Sequence, residues 1–161
     1  MSISKTLYEN NVRVRVCGLL RNNKGILLLK HQNIGKDRFL WSPPGGGVDF
    51  GERTEDSLKR EFREETNMEI APIRYLFANE YMDHKFHAIE LFFEVEHIRG
   101  ELKLGRDPEV PRKEQILTEA RFLSFKEIKE LPETQIHNIF RYSGDPKDVF
   151  EYRGFFNFMN I

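Results

Sequence analysis

The sequence predicts one domain of the α/β (α+β) class, and three features predict it. Apolar residues alternate with a period of two in several short runs, and one unbroken run of good helix formers, 54–66, carries an apolar stripe. Glycine- and proline-rich segments separate these runs. At 161 residues the chain has the length of one domain, 1–161, and can bury a core. Its 39% hydrophobic and 32% charged residues are those of a globular chain rather than a disordered or membrane one.

In chain order, Val12, Val14 and Val16 alternate with Arg13 and Arg15 ahead of Gly18-Leu19-Leu20, which predicts a strand with one buried face. Asn22-Asn23-Lys24-Gly25 has turn chemistry and Ile26 to Lys30 reads as a strand, so the two runs predict an antiparallel hairpin. A polar loop, His31 to Arg38, leads to the aromatic cluster Phe39-Leu40-Trp41 and then to Ser42-Pro43-Pro44. Gly45, Gly46 and Gly47 follow, and they predict a close backbone turn using angles that a Cβ resists. Thr54 is the expected N-cap of a helix from about Thr54 to Thr66, with Glu55 and Asp56 in its first turn.

On a helical wheel Leu58 and Phe62 fall about 40° apart, and Glu61, Glu64 and Glu65 lie within an arc of about 100° beside them. Clustered carboxylates repel one another, and a hard divalent cation bound through oxygen would relieve that repulsion. The helix alone fits either such a site or a solvated, salt-bridged face.

The wider spacing carries more information. Gly46, five residues, Glu52, seven residues, then Arg60-Glu61-Phe62-Arg63-Glu64-Glu65-Thr66-Asn67-Met68 resembles the Nudix box, and eight of its nine specified positions match. The departure is Asn67, where the family has glycine; asparagine is the residue that best replaces glycine in a left-handed helix cap. Trp41 to Gly45 also resembles the family's approach to the box.

The resemblance implies a Nudix-type α/β/α sandwich with a mixed, curved sheet, the box helix on one face and a C-terminal helix on the other. Strands at Ile73 to Tyr81, Ala88 to Ile98 and Ala120 to Phe125, a turn at Asp83 to His87, and helical stretches at Lys126 to Leu131 and Glu133 to Tyr142 are compatible with it. The implied activity is hydrolysis of a pyrophosphate bond in a nucleoside diphosphate linked to another group, such as a nucleotide sugar, ADP-ribose or a nucleoside triphosphate. Mg²⁺ is the implied cofactor, with Mn²⁺ as a substitute. By carry-over, Glu64 and Glu65 are metal ligands, Glu61 is a third ligand or the base, and Gly46 lets the loop bend close to the metal. Arg60 holds a carboxylate through a forked contact, and Glu52 braces the loop from behind.

Outside the box, Gly100 to Glu114 reads as a polar surface loop. Glu109, Glu114 and Glu119 are candidates for a further metal-binding carboxylate, with Glu114 preferred. Arg13 and Arg15 could meet substrate phosphates, and Trp41 could stack on a base, although solvated arginines and core aromatics fit the same pattern. His84 and His87 lack the partners of a zinc site. Phe155, Phe156 and Phe158 predict a tail packed on its own domain or against a second subunit in a homodimer.

The formal charge of −1, from 25 basic and 26 acidic residues, gives no bulk field to gather nucleic acid, and the partner that the resemblance implies is a small-molecule nucleotide. Met1 to Asn11 lacks the apolar core of a signal peptide and no run is long enough to span a bilayer, so the expectation is a cytoplasmic protein without a membrane partner. Lone Cys17 agrees with a reducing compartment. The alternative function is a non-catalytic nucleotide-sensing or partner-binding module on the same fold, for which loss of a carboxylate would be the sign; Glu61, Glu64 and Glu65 are all present. The sequences that mark NADH, coenzyme A and diadenosine polyphosphate subgroups are not evident.

Overall fold

The computed structural model describes residues 10–82, 86–106, 108 and 110–157. Glu109, His84, Phe158 and most of the expected 83–87 turn therefore lie outside the described residues. The described elements in order are β1 (Val12–Asn22), β2 (Gly25–Gln32), β3 (Phe39–Ser42), β4 (Gly45–Gly47), α1 (Thr54–Thr66), β5 (Glu69–Met82), β6 (His87–Arg99), β7 (Leu117–Leu123), α2 (Phe125–Glu130) and β8 (Gly154–Asn157). They form an open mixed sheet of order β3-β2-β1-β6-β5-β8, with β4 paired to β1 and β7 to β2. The α/β class is as the sequence predicts.

β1 and β2 form the expected antiparallel hairpin, but their ladder is confined to Arg21↔Ile26 and Asn22↔Gly25. Beyond it they part: β1 runs parallel to β6, and β2 pairs with β3 and β7. The centre of β1 is consequently buried on both faces. Val16 and Leu20 pack with Leu58 and Phe62 of α1, while Cys17 and Leu19 pack with Phe77, Phe92, Trp41 and the C-terminal residues Ile128, Ile139 and Phe150. Gly18 is required under α1, because a Cβ there would run into the Phe62 ring.

Three expectations are corrected here. Gly45–Gly47 is a short strand rather than a turn, with Arg15↔Gly47, Val16↔Gly46 and Cys17↔Gly45 opposed on β1. None of the three has a positive φ; a Cβ on Gly45 would strike the Val16 carbonyl, so close approach is what demands glycine there. The N-cap of α1 is Arg53, one residue earlier than Thr54, and its side chain makes no capping bond. The single helix expected over Glu133 to Tyr142 is two 3₁₀ turns, Glu133–Gln135 and Asn138–Arg141. Between them Ile136 bridges to Trp41, and the His137 N–H donates to the Trp41 carbonyl at 2.8 Å, which keeps both residues extended. The second face of the sheet is thus covered by α2, which starts with a Ser124/Glu127 capping box, and by 3₁₀ turns. Phe156 packs on the core beside Phe77 and Tyr152, whereas Phe155 is 60% exposed.

Candidate active site

The site is built where α1 meets β4. Leu58 and Phe62 press one stripe of the helix into the core, so the edge of that stripe, carrying Glu61, Glu64 and Glu65, lies against the glycine strand. Glu65 is buried and its Oε2 accepts the Gly45 N–H at 3.0 Å. The Glu61 carboxyl rests over Gly46, where any Cβ would collide with it. Burial pushes the Glu61 carboxyl up, against the opposing pull of the Arg60 guanidinium.

Arg60 is the hub. Its Nε and Nη2 form a fork on Glu52, to Oε1 at 3.0 Å and to Oε2 at 2.9 Å. Nη1 donates to Glu61 at 2.9 Å and to Glu64 at 3.4 Å, and Nη2 also reaches the Gly47 carbonyl at 3.2 Å. Glu52 further accepts from the Ser57 hydroxyl and from the Asp49 N–H. Arg60 and Ser57 together hold the Glu52 carboxyl down to about 2, so it is charged throughout the neutral range. The loop 47–53 and the first turns of α1 are tied together by this one guanidinium.

Asn67 ends α1 in the left-handed region at φ 61°, and its N–H bonds back to the Arg63 carbonyl. Its side-chain amide donates to the Glu101 carbonyl at 3.1 Å. The strand of chain beyond Glu101 then runs along the open end of the helix: Lys103, Gly105 and Arg106 donate their N–H groups to the carbonyls of Thr66, Glu65 and Glu64 at 3.0, 2.8 and 3.3 Å. Helix carbonyls that lack intrahelical partners are satisfied in this way.

Other sequence candidates fall in different places. Arg13 and Arg15 project from the same face of β1, Arg13 with its guanidinium over Gly47 and Arg15 with Nη2 3.5 Å from the Gly45 carbonyl, so both stand beside the glycine strand. Trp41 is corrected: it is 4% exposed and packed in the core, with no open face for a base. Glu114 is exposed in a 3₁₀ turn, Arg112–Glu114. Glu119 pairs with Arg121 on β7, and His87 with Glu80. Sequence reasoning missed Glu90, Asn79 and His137, which form a buried polar group around Arg15. Glu90 carried a signal: it sits between Ala88 and Phe92 at inward positions of a period-two strand, where a charge is out of place.

The donors at the box are all carboxylate oxygens, which suits a hard divalent ion such as Mg²⁺ or Mn²⁺, and the glycine at 46 leaves the Glu61 carboxylate seated on bare backbone. Among the described residues no three carboxylate, histidine or cysteine side chains already converge as a ligand set; the cation shared by Glu61 and Glu64 is Arg60.

The NUDIX domain family matches residues 11–142. The chain belongs to the Nudix hydrolase family. Among Nudix relatives, it is 32% identical over 96 residues to the ADP-ribose pyrophosphatase of Methanocaldococcus jannaschii, covering 58% of this chain and 56% of that protein. It is 46% identical over 57 residues to nucleoside triphosphatase NudI of Escherichia fergusonii, covering 33% of this chain and 38% of that one. The chain thus spans about half the length of these curated relatives or less. Among solved structures it resembles a NUDIX hydrolase from Nitrosomonas europaea, with a TM-score of 0.64 at 16% identity over 78% of this chain and 80% of that one. It also resembles the MutT protein of Methanosarcina mazei Go1, with a TM-score of 0.63 at 22% identity over 87% and 91%. These last two likenesses are of fold. No described helix is long and apolar enough to cross a membrane.

Proposed function

We propose that this Nudix domain, taken as the single domain 1–161, hydrolyses a pyrophosphate bond in a nucleoside diphosphate linked to a second group. The observation that carries this reading is the arrangement at the end of β4. Glu61 and Glu65 are seated on consecutive glycines, and Glu64 stands one helical turn beyond Glu61 in contact with Arg60. Two arginines of β1 lie against the same glycine strand. A helix serving only as a solvated surface has no need to bury Glu65 and lay Glu61 over bare backbone.

Glu61, Glu64 and Glu65 are the residues that would hold Mg²⁺ or Mn²⁺. When bound, such an ion would supply charge neutralisation for the pyrophosphate oxygens and would acidify the attacking water. The chain's own residues do the rest. Arg60 and Glu52 keep the acidic edge of α1 in register with the loop, Arg13 and Arg15 attract the phosphate oxygens, and Glu61 serves as ligand or as the base that takes the water's proton. ADP-ribose and nucleoside triphosphates are the substrate classes named for the two curated relatives, and both contain the bond in question. We place the protein in the cytoplasm, where such nucleotides occur.

The test is a panel of ADP-ribose, nucleotide sugars and nucleoside triphosphates incubated with Mg²⁺ or Mn²⁺, with the products identified. Metal-dependent cleavage of at least one member, lost on adding a chelator, is the expected result. Tight binding with no cleavage of any member would instead establish the binding-module alternative.

A further inference from the structure

The polar residues that the box does not explain gather around Glu90. This residue is 2% exposed and stands directly across the parallel β1–β6 ladder from Arg15 and across the β5–β6 ladder from Asn79. Its Oε1 accepts from Arg15 Nη1 at 3.4 Å and its Oε2 from Asn79 Nδ2 at 2.8 Å. His137 Nε2 lies 3.0 Å from the same Oε2. Because His137 Nδ1 accepts the N–H of Ile139 at 3.3 Å, the proton of the neutral ring belongs on Nε2, and His137 is a donor to Glu90. Three donors from β1, β5 and the C-terminal 3₁₀ segment thus converge on one carboxylate. Burial opposes its charge, but the donors His137, Arg15 and Asn79 outweigh that and hold the carboxyl below the ordinary range.

A carboxylate this deeply buried is costly unless fully paired, and a core at this position could have been closed with an apolar side chain. What Glu90 gains is control of Arg15. That side chain is 30% exposed; one arm is held by Glu90 while the other reaches the Gly45 carbonyl, whose residue also binds Glu65. An arginine fixed in this way loses little conformational freedom when it meets an anion.

We propose that Glu90 is a positioning residue: seated by Asn79 and His137, it fixes Arg15 against the glycine strand as a phosphate-binding arm. His137 thereby makes the C-terminal segment part of the anion seat. The inference rests on the reading of the site as one for a pyrophosphate.

The test is a double-mutant cycle on the whole chain, reading calorimetric binding of imidodiphosphate, a pyrophosphate analogue, with Mg²⁺ present. Arg15→Gln and Glu90→Gln are each expected to weaken binding about 10-fold. The double variant is expected to bind no more weakly than Arg15→Gln alone, because Glu90 acts through Arg15. Additive losses, or wild-type affinity in Glu90→Gln, would overturn the proposal. Should Glu90→Gln not fold, His137→Phe takes its place in the same cycle with the same two readings. If wild-type protein fails to bind the analogue, the anion seat itself is wrong. If it binds the analogue yet cleaves no nucleotide of the panel, the hydrolase reading alone is lost.

Discussion

Arg60 and Glu52 are joined by two parallel hydrogen bonds of 3.0 and 2.9 Å across a span of eight residues, and this fork is the joint between the loop after β4 and the box helix. Lysine has the charge for this contact but not the planar pair of donors. Arg60→Lys is expected to lower kcat/KM about 10- to 100-fold, the usual effect of loosening a residue that orients ligands, with far-UV circular dichroism unchanged. Unaltered turnover would show that the fork is structural only.

Glu64 and Glu65 separate chemistry from stability. Glu65 accepts the buried Gly45 N–H, so Glu65→Gln keeps an acceptor there while removing the charge. We expect metal-dependent turnover to fall by orders of magnitude in Glu64→Gln and Glu65→Gln with the denaturation midpoint little changed. Glu65→Ala leaves the Gly45 N–H unpaired and should cost about 1–3 kcal/mol in addition. Equal turnover in the glutamine variants would remove both residues from the metal site.

The end of the helix gives a third test. Gly105 donates to the Glu65 carbonyl at 2.8 Å, and a Cβ on Gly105 would collide with the Glu64 carbonyl. Gly105→Ala must push the 103–106 segment off the helix, for which a loss of about 1–3 kcal/mol is expected in urea denaturation. Asn67→Ala should cost about 1–2 kcal/mol, since alanine resists the left-handed φ of 61°. Asn67→Gly, the family's residue, should be close to wild type in stability. Its loss of the bond to the Glu101 carbonyl should show as faster amide exchange at Lys103 and Gly105.

These residues also show where sequence reading succeeds and where it stops. Thr54–Thr66 was legible because a local pattern, good helix formers with Leu58 and Phe62 one turn apart, agrees with the packing that α1 finds on Gly18. The acidic edge was legible because its spacing is long and specific. The glycine run reads locally as a turn because what requires glycine there is the Val16 backbone, almost thirty residues away in sequence. The break at Ile136–His137 was hidden for the same reason: its cause is the backbone of Trp41, and no local propensity records it. Trp41 itself illustrates the limit for binding residues, because an aromatic before a glycine strand has the same sequence whether its ring faces a ligand or the core.

His31 gives the last prediction. It is buried, with Nδ1 3.3 Å from the Ser42 hydroxyl, and burial first and then the charge of Arg15 push its pKa down to about 4. The folded protein therefore keeps His31 neutral at a pH where the unfolded chain, with a histidine pKa near ~6.5, takes up a proton. The sign follows from that difference: stability is unaffected above about pH 6.5, and as pH falls toward 4 the unfolded state gains a proton that the native state refuses. The full loss at pH 4 is about 3 kcal/mol. Glu52, held down to about 2, and Glu90, also held low, lose their contributions only as pH falls from the ordinary carboxylate range downward, so between pH 7 and 5 they do not interfere. The difference between wild type and His31→Gln isolates His31 from the other histidines. Urea midpoints measured at pH 7 and pH 5 should fall more steeply for wild type than for His31→Gln, and parallel pH dependence in the two proteins would show that His31 is protonated in the fold.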